Sequence, residues 1–243
     1  TLPKNFLPQH PFNNGEMLVR DEKLAPWPRT AATIQRHTAD YYGMITHLDA
    51  RIGDILQTLE QTGQAENTLI VFTSDNGLAV GRHGLLGKQN LYDHSVRVPL
   101  VLAGPGVPHG KRSDALCYLF DLFPTLCSLA GVAPPETIEG RDLSPVIRGD
   151  AEKVRDSIFG AYGEVQRMVR TPRWKLVRYP QINRTQLFDL QRDPDESQDL
   201  AAMPEHQERI RELMSLLMEQ QSELGDHLPL TSSSPAPEQV ELR

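Results

Sequence analysis

Apolar residues along the chain fall into a few clear rhythms. From Ile34 they recur at Tyr41, Ile45, Leu48, Ile52, Leu56 and Leu59, in steps of three, four or seven. That is the period of one helical face, so a long amphipathic helix is predicted over 34–61, closed by Gly63. Leu69-Ile70-Val71-Phe72-Thr73 is a short run rich in β-branched residues. It reads as a buried, parallel strand ending in the turn Ser74-Asp75-Asn76-Gly77. VRVPLVLA (96–103) predicts a second strand, with Pro99 marking an edge or a bulge. A helix is predicted over 119–130, then loop over 132–156. From Ser157 the runs SIFGAYG, QRMVR, RWKLVRYP and QLFDL alternate in period two, the texture of an antiparallel sheet. Glu205 to Leu224 predicts a last amphipathic helix. The tail from 227 has few core-forming residues and is expected to be disordered.

Helix followed by strand and then a strand-rich end predicts an α/β domain over 1–150 and a small antiparallel subdomain over 151–226. Composition narrows the functions. The 243 residues carry a formal charge of −7, which disfavours a general nucleic-acid binder. No apolar run reaches the length of a membrane span. Two cysteines, Cys117 and Cys127, exclude a disulfide-dense scaffold. Both sit in apolar stretches, where a thiol is usually inert packing. The opening TLPKNFLPQHPFNNG reads as the middle of a longer polypeptide.

Asp75 and Asn76 follow a strand at the position where α/β sheets bind ligands. Their oxygens suit Ca2+ or Mg2+; the same residues also make ordinary Asx-turns. Lys88 lies in a glycine-rich loop (Gly77, Gly81, Gly84, Gly87), where backbone can approach a ligand and an ammonium can hold a sulfate or phosphate oxygen. The alternative is a solvated surface lysine. His83 is either a proton donor or substrate ligand, or an exposed loop histidine. No His-Glu-x-x-His spacing points to zinc. Asp49, beside the helical stripe, reads as a structural acceptor. Arg167, Arg170, Arg173, Lys175 and Arg178 alternate with apolar residues. They form a solvated strand face, or a site for an anionic partner such as a sulfated glycan.

Taken together, the ordered motifs resemble the C-terminal portion of the formylglycine-dependent sulfatases, within the alkaline-phosphatase-like superfamily. They are YYGMITHLDARIGDIL (41–56), TLIVFTSDNG (68–77), HGLLGKQNLY (83–92), RVPL (97–100), FDLFPTL (120–126) and EGRDL (139–143). The resemblance implies an alkaline-phosphatase-like sheet sandwiched by helices, with a small C-terminal α+β subdomain. It implies sulfuric ester hydrolysis using Ca2+, with Asp75 and Asn76 among the metal ligands and Lys88 on the sulfate. His83 is carried as a second catalytic candidate. The implied substrate is a sulfated small molecule or carbohydrate. The family's Cys-x-Pro-Ser-Arg motif, source of the formylglycine nucleophile, is matched by neither cysteine, so the chain alone is expected to be inactive. A phosphodiesterase or phosphonate monoester hydrolase of the same superfamily is the nearest rival reading.

Overall fold

The structure is a computed structural model that describes residues 1–239. Its contacts divide the chain into two compact units. One gathers Thr1–Thr38, Asn76–Val98 and everything described from Phe159 onward; the other holds Ala39–Asp75 and Pro99–Ile158. This interleaving departs from the expected division near residue 150. The reason is packing: the early loops supply apolar side chains to the late sheet.

In the first unit, a four-stranded sheet runs in the order β3 (Ile158–Tyr162), β4 (Gln166–Arg170), β5 (Trp174–Tyr179), β6 (Arg184–Asp189). The pairs β4–β5 and β5–β6 are antiparallel, with Met168 opposite Val177 and Leu176 opposite Leu187. Period-two alternation gives the sheet two apolar faces. Val169, Leu176 and Leu187 pack with Leu213 and Leu217 of α5 (Gln207–Glu223). Met168, Val177 and Tyr179 pack with Phe12 and Leu91, which come from the early segments. Each fully buried leucine contributes on the order of 1.5–3 kcal/mol.

The tail departs from its predicted disorder. Arg178 Nε donates to the Leu230 carbonyl (2.6 Å), Ser232 N to Asn183 Oδ1 (2.9 Å) and Ala236 N to the Gln181 carbonyl (2.8 Å). Backbone groups and polar side chains near the β5–β6 connection hold this stretch, so its low apolar content was a poor guide. Residues 240–243 of the predicted disordered segment lie outside the described residues.

The second unit holds most of α1 (Ala31–Gln61), β1 (Ile70–Thr73) and β2 (Leu100–Ala103). It also holds α3 (Leu122–Leu129) and α4 (Ser144–Arg148), the latter inside a stretch expected to be loop. The short helix α2 (Asp93–Val96), in the first unit, ends on the first residue of the predicted second strand, and the strand itself begins at Leu100. β1 pairs with β2 antiparallel, Ile70 opposite Ala103, and neither strand is fully buried. The expectation of a buried parallel strand fails because an apolar β-branched run specifies a strand but not its partner's direction.

The carboxylate of Asp121 is this unit's polar hub. It accepts from Arg155 Nη2 (2.8 Å), Arg141 N (2.8 Å) and Tyr118 N (2.7 Å), and Arg155 Nη1 also contacts it. Burial opposes its charge, but the guanidinium and the two backbone amides hold the carboxyl below its usual range. This links the FDLFPTL and EGRDL motifs: the Asp121 carboxylate accepts from Arg141 N, and Thr125 Oγ1 accepts from Leu143 N (2.8 Å).

The apolar stripe of α1 is largely exposed. Ile34 is its one buried residue, while Ile45, Leu48 and Ile55 face solvent, as do Phe72 and Val101 of the two strands. Asp49 is exposed too. The isolated chain is therefore expected to bind a hydrophobic dye such as ANS while folded. Leu48→Gln with Ile55→Gln should cut that signal without lowering the urea midpoint; an unchanged signal would reject this face as its source.

Candidate functional site

Ser74–Gly77 follows β1 directly. Asp75 is exposed and Asn76 half-buried; Ser74 Oγ lies 3.4 Å from Asp75 Oδ1. Gly77 donates its N–H to the Ser95 carbonyl (2.9 Å). A Cβ at Gly77 would sit 1.9 Å from the His94 carbonyl oxygen, so only glycine fits between Asn76 and the turn of α2.

The loop carrying His83 and Lys88 closes on itself as a hairpin. Ala79 N donates to the Gly87 carbonyl (3.0 Å), Val80 N to Leu86 O (3.2 Å) and Gly81 N to Leu85 O (2.7 Å). Its base rests on a buried carboxylate that the sequence reading missed. Glu22 Oε1 accepts from Gly87 N (2.8 Å) and Leu86 N (3.1 Å), while Oε2 takes Arg29 Nη2 at 2.6 Å. Glu22 and Arg29 are almost wholly buried, and the guanidinium stacks 3.6 Å from the Trp27 ring centroid. Gln89 continues the contact: its Oε1 accepts from Lys88 N (3.0 Å) and its Nε2 donates to Asp21 Oδ2 (2.8 Å). Lys88 itself is half-buried. Hydrogen bonds from Gln89 and Arg20, then the charges of Arg20 and Lys88, hold Asp21 below its usual range. In the sequence Asp21 and Glu22 look like solvated charges in a proline-rich stretch, and the loop groups they hold lie more than 60 residues away.

His83 is buried, contrary to the exposed-loop alternative. Its ring stacks on Tyr92 with centroids 3.8 Å apart. Asn5 Nδ2 donates to the Asp195 carbonyl (2.6 Å) and lies 3.0 Å from His83 Nε2. A carbonyl only accepts, so the amide nitrogen is the group facing His83, and Nε2 is an acceptor. Burial pushes His83 down to about 3, with the charges of His10, Lys175 and Arg82 adding to it. A neutral ring with Nε2 occupied is a poor proton donor at neutral pH. His10 is likewise structural, with Nδ1 on the Phe12 carbonyl (2.7 Å), Nε2 on the Tyr92 hydroxyl (3.1 Å), and a pKa lowered by burial to about 4.

The basic strand residues do not form one solvated face: Arg173 is exposed, but Arg167, Lys175 and Arg178 are buried. Arg167 pairs with Asp226, Arg170 with Asp93 (3.2 Å) and Arg173 with Asp189 (2.7 Å). Lys175, fully buried, pairs with Asp93 (2.8 Å) and Glu196 (2.7 Å). Arg178 reaches Leu230 O and Thr185 Oγ1. Four of the five cations thus face carboxylates and Arg178 faces neutral oxygens, which weakens the glycan-binding alternative built on this stretch.

Among the described residues no three His, Cys, Asp or Glu side chains are grouped to hold a metal. Asp75 and Asn76 are hard oxygen donors of the right chemistry, but two residues fall short of the six to eight oxygens that Ca2+ takes. They fit as part of a shell. Cys117 is half-buried and its thiol is pushed up by burial and then by Asp121, which suits packing rather than nucleophilic work.

Two family profiles match the chain: "Sulfatase" over residues 9–132, and "N-sulphoglucosamine sulphohydrolase, C-terminal" over 81–223. The N-acetylglucosamine-6-O-sulfatase of Bacteroides thetaiotaomicron is 32% identical over 208 residues, covering 80% of this chain and 37% of that protein. A structure solved with its substrate, D-glucosamine-2-N,6-O-disulfate, superposes with a TM-score of 0.75 at 31% identity, covering 82% of this chain and 43% of the other. The phosphonate monoester hydrolase of Agrobacterium radiobacter superposes with a TM-score of 0.71 at 30% identity, covering 80% and 43%. The chain thus spans about two-fifths of the length of the relatives it matches. With the ordered motifs and the α/β architecture already described, the "Sulfatase" profile alone spanning half the sequence establishes that the chain belongs to the sulfatase family, within the alkaline-phosphatase-like superfamily.

Proposed function

We propose that Asp75, Asn76 and Lys88 of this chain serve the active site of a sulfuric ester hydrolase acting on a sulfated sugar or small molecule. The observation that carries the reading is the loop architecture. The Asn76–Gly77 turn is pinned to α2 through Gly77, and Lys88 stands on a hairpin braced by buried charges. A lysine whose backbone is fixed this way presents its ammonium from a set position, as charge stabilisation on an oxyanion requires. Asp75 and Asn76 would give two oxygens to a Ca2+ or Mg2+ ion, which when bound would draw charge from sulfate oxygens as a Lewis acid. The amide of Asn76 in place of a second carboxylate keeps the local charge less negative, which favours an anionic substrate. His83 is assigned a supporting role: it packs under the loop and exchanges no proton. The nucleophile, expected to be a formylglycine, belongs to sequence outside this chain, and the chain alone is expected to turn over no ester.

In a complete enzyme carrying this chain, Lys88→Ala is expected to lower kcat/KM for a sulfate ester by about 100- to 1,000-fold. A wild-type rate would remove Lys88 from the site. Similarity to a phosphonate monoester hydrolase supports a second reading, in which the same groups grip a phosphonate or phosphodiester. Comparing turnover of a matched sulfate ester and phosphonate ester decides between them.

A further inference from the structure

We propose that Glu22, locked by Arg29, is the positioning residue that sets Lys88; the inference rests on the reading of Lys88 as an anion holder. The hairpin ends at Leu86–Gly87 with two backbone N–H groups turned away from its own pairing. The two oxygens of the Glu22 carboxylate accept both, Leu86 N at 3.1 Å and Gly87 N at 2.8 Å. The acidic turn also presses on the residue before Lys88. A Cβ on Gly87 would meet Gln89 Oε1 at 2.4 Å, Asp21 Cβ at 2.8 Å and Glu22 Oε1 at 3.2 Å. Just beyond Lys88, Gln89 ties back to Asp21. The Lys88 backbone is therefore gripped from both sides by the 3-10 turn Arg20–Leu24.

Charge accounting separates this from ordinary loop packing. Bracing two amides needs only an acceptor, which a glutamine would supply. A bare carboxylate this near Lys88 would repel an incoming anion. Arg29 removes that penalty: it neutralises Glu22 at 2.6 Å and donates also to the Glu22 (2.9 Å) and Ala25 carbonyls. The pair thus fixes the loop strongly without Glu22 offsetting the charge of Lys88, and Asp21, the other carboxylate that feels Lys88, is engaged by Arg20 and Gln89.

Site-resolved acetylation of the chain by an N-hydroxysuccinimide ester, with and without inorganic sulfate at constant ionic strength, tests this. Amide exchange at Leu86 and Gly87 is followed in parallel. In the wild type, sulfate is expected to slow labelling of Lys88 but not of exposed Lys111 and Lys153. In Glu22→Ala, exchange at Leu86 and Gly87 should rise roughly tenfold or more while the α5 amides keep theirs. Lys88 should label faster and lose its protection by sulfate. Should Glu22→Ala fail to fold, Glu22→Gln takes its place. It keeps an acceptor for the amides but unpairs Arg29, and should retain part of the exchange protection while weakening the sulfate effect. Sulfate protection that persists in a folded Glu22 variant overturns the positioning role and leaves the Lys88 reading standing. Absence of protection in the wild type overturns the Lys88 reading and the inference with it.

Discussion

Acidification from pH 7 to about pH 4.5 is expected to lower the melting temperature of this chain steeply, while its low-held aspartates are still ionised. The cause is the imidazole cluster around Tyr92. Burial holds His10 at about 4 and His83 at about 3, whereas an imidazole in the unfolded chain titrates near 6.5. Between those values the unfolded chain binds more protons than the folded one, so stability rises with pH and is lost as pH falls. Each neutral imidazole is worth on the order of 3 kcal/mol once the pH has dropped to its folded-state value. Asp121, whose carboxyl is held low, contributes only below about pH 4, so the two effects occupy separate windows. Melting curves at several pH values would read the slope directly. His83→Phe keeps a ring stacked on Tyr92 but removes one titrating group, and should flatten the profile even if it costs stability at pH 7. A melting temperature constant from pH 7 to 4.5 would refute the account.

Lys175→Met should be the most damaging single substitution in the sheet. Its ammonium sits in β5 with no solvent exposure, 2.8 Å from Asp93 and 2.7 Å from Glu196. Asp93 is buried against its charged form, yet Lys175 and then Arg170 keep its carboxyl below the usual range. The Asp93 N–H is also bound by Glu196 Oε2 at 2.6 Å. Removing the lysine leaves Asp93 with Arg170 and the charge of Arg97, and takes from Glu196 the cation it pairs with. Breaking such a buried network costs about 3–5 kcal/mol. Urea denaturation would show it as a large drop in midpoint. Adding Asp93→Asn and Glu196→Gln should recover part of the loss, because no uncompensated charge then remains. A single-variant loss below about 1 kcal/mol would mean that the network is hydrated and of little consequence.

The elements were legible where periodicity was strong. The helix predicted over 34–61 is observed as Ala31–Gln61, and the four short runs after Ser157 are the four strands of one sheet. What escaped was whatever depends on distant residues. Strand direction at β1 is decided by a partner 30 residues on. The burial of Lys175 is decided by Asp93 and Glu196, and no local pattern marks a lysine for the interior. At the site, residue chemistry alone left Asp75 and Asn76 open as an ordinary turn and Lys88 as a surface lysine; only the ordered sulfatase-like motifs favoured metal and anion roles for them. The brace beneath Lys88 was hidden because Glu22 reads locally as a surface charge. His83 was visible as a residue but not as a buried one, since its environment is assembled from Asn5, Tyr92 and Asp195.

The threading of one compact unit through three separate stretches of sequence bears on how the protein is made. As the ribosome extends the chain, the Lys88 hairpin emerges long before β4 and β5, whose Met168 and Val177 help bury its neighbour Leu91. Until then that apolar surface has nowhere to go. Nascent chains stalled before residue 159 should therefore hold the Lys88 loop unformed and depend on chaperones, and the final sheet should fold in a slow, long-range step.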